Sequence, residues 1–569
     1  MKITLRNAAT SLLLLSVVHS RPISQYYPIS TSDYNNNYTL SNYAQDLFDT
    51  SMEWQDQYWD DEVGYMITAD NTLPGRYDSR QSAWYAVGLV ARNDSGDIEK
   101  AERIISNLYK SQYKDPTKLW YGDIQQAPDE PTPQEGVYEP KIYNSWDPNW
   151  RDFVGAAFVI ILNDYQDRLS ESSLKELEDM TYLMAKGDQY RVGGVDSDNL
   201  YPAYSNPWMM RCILQSYAGF YFNDANMTRS GEVWGKQIYD LFKRYDTFSE
   251  FNSPTYTGVD MFALGVWIRY ASTDSSLPAY AKDMFSHLMN LTKGLYNANL
   301  KNFVGPFDRS YGYDMNQYFS ITAATIWGLV GREYAPMPKN IAGMFHIADF
   351  GISHIIALGM PQLEPILTTD VLESFKKYPG NHTITAQAFS PPFDTYPRNI
   401  SIWSDDYIHI GAETINEVEI GGPATSISSF NPAVIQWFVR DGRVGYITLR
   451  ATQPVINAVA GEAFLDITFP NITSVSQADD VRFTFFVSGF DVYPNDNVTS
   501  ITSLPGLSMK VSGNIDLESE IFYYDIADGD TNDFWSFNST WTMSANYSGN
   551  PHLRFEITEY PTSSKVTYV

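Results

Sequence analysis

This 569-residue chain predicts an α+β multidomain protein, helical hairpins first and an antiparallel β-sandwich after them. Two observations predict it, and a third says what holds it together. Apolar residues recur at three-four spacing from about residue 41 to 335, then at a spacing of two from about 385 onward. Helical and strand-like stretches are segregated and do not alternate, which excludes a doubly wound parallel sheet. Cys212 is the only cysteine, so no intramolecular disulfide can form and the core must hold the chain together.

Taken in order, residues 1–20 read as a signal peptide. Lys2 and Arg6 precede the short apolar run Ser11–Val18, with small residues at Val18 and Ser20. Residues 21–40 are expected to be an N-terminal extension. Amphipathic helices are predicted at Ala44–Trp59, Ser79–Arg92, Ile98–Gln112, Trp150–Tyr165, Ser173–Ala185, Trp208–Phe222, Gly231–Arg244, Val259–Ala271 and Ala279–Leu291. The loops between them are long and rich in Pro, Gly, Asn and aromatic residues, which points to ordered, functional loops. Residues 336–384 read as a linker. Alternating strands are then predicted at Ile400–Ile410, Ala433–Arg440, Val444–Arg450, Ala463–Phe469, Val481–Val487, Leu507–Val511, Ile521–Asp525 and His552–Ile557. Cys212 lies in an apolar helical stretch and is expected to be buried and inert.

The net charge of -29 excludes nucleic acid as a partner, because phosphate binding needs a basic surface. No stretch after the leader is long and apolar enough to span a bilayer, so membrane insertion is not expected either. N-x-Ser/Thr sequons at Asn37, Asn93, Asn226, Asn290, Asn381, Asn399, Asn471, Asn497, Asn538 and Asn546, behind a signal peptide, lead us to expect a secreted, N-glycosylated protein. Aromatic rings beside Asn, Asp and Gly suit a carbohydrate partner, although core packing accounts for any single ring.

Helical hairpins of this length followed by a sandwich resemble the secreted polysaccharide lyases of the chondroitin-lyase and heparinase type. The resemblance covers nearly the whole chain at the level of architecture and is carried by no motif. It implies an incomplete α/α toroid over residues 41–335, with a glycan lying across its open end, and a sandwich over 385–569. Toroids also host glycosidases and terpenoid cyclases, so the reaction must come from the site.

Four polar loops stand at predicted helix starts, where a toroid would gather them at one rim. They are 74–81, with Arg76 and Arg80; 143–152, with Asn144, Trp146, Asn149 and Trp150, extended by Asn206 and Trp208; 250–260, with Asn252 and Tyr256; and 305–314, with Arg309, Tyr311 and Tyr313. β-Elimination from a uronate needs a group that neutralises the carboxylate, a base and an acid. Arg309, Asn206 and Asn252 suit the first task. Tyr256, Tyr311 and Tyr313 suit the proton transfers, if cations nearby lower a phenol's pKa. We therefore take these six as the catalytic candidates, and Arg76, Arg80, Asn144, Trp146, Asn149, Trp150, Trp208 and His409 as substrate-binding ones. The loops contain no His, unlike the family resembled, which favours Tyr in both proton transfers.

Asp147, Asp152, Glu250, Asp260, Asp308 and Asp314 would serve a glycosidase on the same scaffold. A cyclase or dehydratase of small metabolites, or a carbohydrate binder without catalysis, is the third reading. No metal motif, nucleotide signature or nucleophile elbow is present, so no cofactor is expected.

Overall fold

The computed structural model describes residues 39–68, 76–338, 346–422, 429–440, 442–470, 472, 481–490, 498–524, 535–545 and 547–562. The expected signal peptide, most of the extension, Pro74-Gly75, and the sequons at Asn37, Asn471, Asn497 and Asn546 lie outside these residues.

The helices are α1 (Asn42–Asp56), α2 (Ser79–Arg92), α3 (Asp97–Ser111), α4 (Asn149–Asp164), α5 (Glu171–Asp188), α6 (Ser205–Tyr221), α7 (Ala225–Phe242), α8 (Pro254–Tyr270), α9 (Leu277–Leu295), α10 (Ile321–Val330), α11 (Ser353–Leu363) and α12 (Thr369–Lys376). Polar side chains start them: Asp78 Oδ1 accepts from Gln81 N at 2.7 Å, Ser253 Oγ from Tyr256 N at 3.3 Å, and Ser320 Oγ from Ala323 N at 3.2 Å. The loop residues that end each connection thus fix where the next helix begins.

Helices α2, α4, α6, α8 and α10 pack in succession and are buried on nearly every side. Helices α3, α5, α7 and α9 bury a single stripe and lie outside them. Helix α10 meets α1, and α11 packs on α1, α8 and α10. This is an α/α toroid, with apolar inner helices and amphipathic outer ones.

The linker expected over 336–384 is corrected: α11 and α12 occupy much of it, and Phe350, Ile355, Met360 and Phe375 are buried in the helical core. Short helices interrupted by Pro361 and Pro365 gave too little periodicity to be read. Helix α10 was missed for the opposite reason, being apolar all round.

The sandwich pairs an eight-stranded antiparallel sheet with a six-stranded one. The first runs, in spatial order, Ile515–Tyr524, Trp535–Met543, Arg482–Phe490, Arg443–Leu449, Ala433–Arg440, Ile408–Glu413, Arg398–Asp405 and His382–Ala388. The second runs Ser503–Leu504, Leu507–Gly513, His552–Glu559, Phe464–Thr468, Val455–Gly461 and Ile415–Asn416. The strand expected over 400–410 is two strands, split by a turn at Asp406-Tyr407.

The central strands of the larger sheet are buried on both faces. Ile408, Ile410 and Ala412 enter the core shared with the smaller sheet, while Val434, Tyr446 and Phe486 join the helical core. The alternation therefore turns His409, Gly411 and Glu413 toward the toroid. Asn93, Asn226, Asn290, Asn381 and Asn399 are exposed, and Asn538 is half-buried on its strand. Cys212 is fully buried in α6. Among the described residues no helix is long and apolar enough to cross a membrane.

Candidate functional site

The site is built where the inner helices begin. Arg80 near the start of α2 lies on Trp150 of α4. Ser205 at the start of α6 reaches Asp260 of α8 at 3.0 Å, and Thr322 of α10 donates to the Pro254 carbonyl of α8 at 2.5 Å. The N-termini of the ring thus share one rim, with their positive dipole ends converging on it.

Residues 305–314 are laid along the larger sheet. Phe307 and Asn431 exchange backbone bonds at 2.8 and 3.0 Å, and Ser310 N donates to Ser429 O at 2.8 Å. Gln436 ties both ends, accepting from Gly305 N at 3.1 Å and donating to Tyr313 O at 2.9 Å. Gly411 permits this docking, since a Cβ there would sit 1.7 Å from the Gly305 carbonyl oxygen. Alternation along the segment sends Phe307 into the core and leaves Arg309 and Tyr311 half-exposed. At Gly312 the chain turns, with Ser310 Oγ donating to the Gly312 carbonyl. Tyr313 consequently points down, 6.1 Å from Phe307 and 5.0 Å from Tyr446 between ring centroids. Its place among the catalytic candidates is corrected: it is a core residue.

Three of the catalytic candidates meet. The Arg309 guanidinium lies 4.0 Å from the centre of the Tyr256 ring and 5.6 Å from that of Tyr311. The two phenol oxygens are 2.5 Å apart. Arg309 also reaches Tyr204 Oη at 3.5 Å and Glu250 at 3.9 Å, both long contacts, and its Nε is buried without an acceptor. Behind it, Glu250 accepts from Ser205 Oγ and Asn206 Nδ2, each at 3.3 Å. Burial pushes Glu250 up to about 7, against the pull of Arg309. Burial likewise raises Tyr204 to about 12 and Tyr256 well above the usual phenol range, again against Arg309. The expectation that a neighbouring cation would lower a catalytic phenol is corrected for Tyr256: desolvation outweighs the charge.

Sequence reasoning placed His346 in a linker and missed it. Its ring stacks on Tyr311 at 4.3 Å and 11°, and its Nδ1 lies 2.8 Å from the Asp349 carboxylate. Nothing in local periodicity signals this contact, since it depends on the 347–352 turn packing against α2.

The other candidates scatter. Asn252 donates to the carbonyls of Val304 and Pro306 and so pins a loop; it is not presented to the cleft. Arg76 is paired with Glu130, Asn149 accepts from Arg191 at 2.9 Å, and Trp146 packs on Trp120. Trp208 donates to the Trp234 carbonyl at 2.9 Å beside Arg211. Asn144 is exposed on its loop. His409 is corrected outright: it is fully buried beneath the sheet, 3.0 Å from Ser404 Oγ, and burial pushes it down to about 3. Arg80 and Trp150 remain on the rim together. Among the described residues no group of three or more His, Cys, Asp or Glu is placed to hold a metal ion.

One residue of the sandwich fastens the loops that carry Arg309 and Glu250. Arg398, fully buried, donates to Asp308 beside Arg309, to the Ser249 carbonyl beside Glu250, to Ser390 Oγ at 2.8 Å and to Asp394 at 3.0 Å. Glu413 lies 3.5 Å away, pushed well up by burial and by Asp308.

With the geometry in hand, comparison with known proteins gives a family. Residues 45–361 match the model described as Domain of unknown function (DUF8769), and residues 380–558 match a second, Domain of unknown function (DUF8770). The chain belongs to the DUF8769 family. No curated protein matches it. Among solved structures, this DUF8769 chain is similar to heparinase III, at 9% identity over 95% of this chain and 89% of that one, with a TM-score of 0.46. It is similar to the Streptomyces coelicolor chondroitin AC lyase, solved in complex with chondroitin sulphate, at 10% identity over 94% and 81%, TM-score 0.37. It is also similar to a heparan sulfate lyase from Pedobacter heparinus, at 10% identity over 93% and 85%, TM-score 0.32.

The DUF8769 chain should be an acid-stable protein. Burial raises Glu250 and Asp123 to about 7 and Glu417 to about 8, and pushes Asp152, Asp260 and Glu413 well up. A carboxyl whose folded pKa is raised contributes stability that is complete below its unfolded pKa, and is lost as pH rises through the folded value. His354 and His409, pushed down to about 4 and about 3, act oppositely as pH falls. These two are outnumbered. The melting temperature is expected to fall steadily between about pH 5 and pH 8. A flat or rising profile over that window would refute the account.

Proposed function

We propose that this protein cleaves a uronate-containing polysaccharide by β-elimination. The observation that carries this reading is which groups are half-exposed on the cleft. They are a guanidinium, two phenols and an imidazole: Arg309, Tyr256, Tyr311 and His346. The carboxyls a glycosidase would need are buried instead, with Asp152, Glu250, Asp260, Asp308 and Asp314 at 0–3% exposure. Asp147 is half-buried, but one carboxyl does not make the pair that hydrolysis requires.

Arg309 takes the sugar carboxylate. Its present partners are long contacts, and below about pH 7 Glu250 is neutral, so the guanidinium charge is left for the substrate. Neutralising the carboxylate acidifies the neighbouring C5–H. Asp349 accepts from His346 Nδ1, which leaves the lone pair on Nε2, and His346 acts as the base. Tyr256 keeps its proton at working pH and passes it, through the 2.5 Å contact with Tyr311, to the glycosidic oxygen. The C5–H and C4–O bonds break, the C4=C5 bond forms, and the leaving oxygen is protonated. Asn206 holds Glu250 in place behind Arg309.

The test is a panel of uronate polymers followed by the ultraviolet absorbance of an unsaturated uronate. His346→Ala and Tyr256→Phe are each expected to abolish that signal while the melting temperature holds. New reducing ends without absorbance would replace the reading by hydrolysis. Full activity in both variants would remove these residues from the chemistry.

A further inference from the structure

Among the described residues the Arg80 guanidinium has aromatic neighbours but no polar partner. It lies 5.1 Å from the centre of the Trp84 ring, 5.2 Å from Trp150 and 5.6 Å from Phe153. Its Nε is fully buried without an acceptor, and among the described residues the Arg80 side chain makes no hydrogen bond or ion pair. Other rim arginines are different. Arg76 pairs with Glu130, and Arg191 binds Asp198 at 2.7 Å. Stacking on aromatic faces offsets part of the cost of half-burying a cation, but it satisfies none of the five N–H donors. A cation in this position is complete only when an anion arrives from the cleft.

We infer that Arg80 forms a second anion subsite, which takes a carboxylate or sulfate ester on a sugar unit flanking the one held at Arg309. The inference rests on the cleft reading above and adds to it the class of substrate: a polymer acidic at neighbouring units, not a neutral chain with isolated uronates. Asp147 connects the two arginines: its charge acts on both Arg80 and Tyr204, and Tyr204 Oη is 3.5 Å from Arg309. Asp147 is engaged by Asn149 N at 3.0 Å and does not pair with Arg80. Asp78, whose charge also bears on Arg80, is taken up in capping α2.

Calorimetric titration of the full chain in mildly acidic buffer tests this with three probes. Trigalacturonate carries carboxylates only, its methyl ester is neutral, and a sulfated galactan tetrasaccharide carries sulfate esters only. At least one anionic probe is expected to bind and the ester not to; the two anionic arms tell which acid the subsite prefers. Arg80→Met, which keeps the stem on the rings, and Arg80→Ala should each weaken that binding by about tenfold or more. Neither variant should melt lower than the wild type, because an unpaired charge is being removed. The inference is overturned if neither anionic probe binds, if the ester binds as well, or if the variants bind within about threefold of wild type. It is also overturned if both variants melt markedly lower, which would make Arg80 a packing residue. Absence of an unsaturated product alongside Arg80-dependent binding would sink the β-elimination reading and leave this one standing.

Discussion

Arg309→Ala is expected to lower kcat on a cleaved polymer by on the order of a hundredfold or more, with little change in melting temperature. Its polar contacts, to Tyr204 and Glu250, are both long, so few bonds of the fold are lost with it. Its charge, by contrast, is what the proposed mechanism uses to neutralise the carboxylate as negative charge develops at the neighbouring carbon. An interaction that strengthens in the transition state moves kcat more than KM. Arg309→Lys should fail nearly as badly. A lysine keeps the charge but loses the planar fork, along with the face that stacks 4.0 Å over Tyr256. Near-native turnover by either variant would place the carboxylate elsewhere.

The second large effect belongs to Arg398. Arg398→Met should destabilise the protein by ~3–5 kcal/mol, the usual cost of stranding buried charges whose partner is removed. The stranded groups are Asp308, Asp394 and Glu413, with Glu417 close behind. All four are raised by burial and held down by Arg398. Without it they are raised further, so the loss should be greater at about pH 8, where folding must keep them protonated or bury them charged, than at about pH 5. Urea unfolding of wild type and variant at both values measures this. An equal loss at the two pH values would mean that the arginine acts through packing alone.

The division into helices and then strands was legible because it rests on periodicity, and nine of the helices fall close to where the apolar stripe puts them. The loops that carry the site were legible as well. Their Pro and Gly residues announced fixed backbone at helix starts, and Ser253 caps α8 in the third of them. Individual roles were not legible, because spacing along a loop does not give direction. Arg309, Tyr311 and Tyr313 looked equivalent until the turn at Gly312 sent the third downward. His346, Asp349 and Arg398 reach the site from segments distant in sequence, through contacts that no window of residues contains. Arg80 was legible as a rim residue, but its solitude became visible only with the aromatic rings in place.

The Gly305–Gly411 contact bears on how this protein can be cut and inherited. The two family models leave a tempting boundary between residues 361 and 380. A fragment ending there would carry Arg309 and Tyr311 on a segment whose floor had been discarded with the sheet, and with it the Arg398 bracing. Such a fragment has the cleft side chains but not the jig that sets them. Gene truncation, proteolytic trimming or recombination with a foreign sandwich would therefore silence the proposed activity even where the toroid survives, unless the new sheet offered a glycine at the touching point and an arginine beneath it.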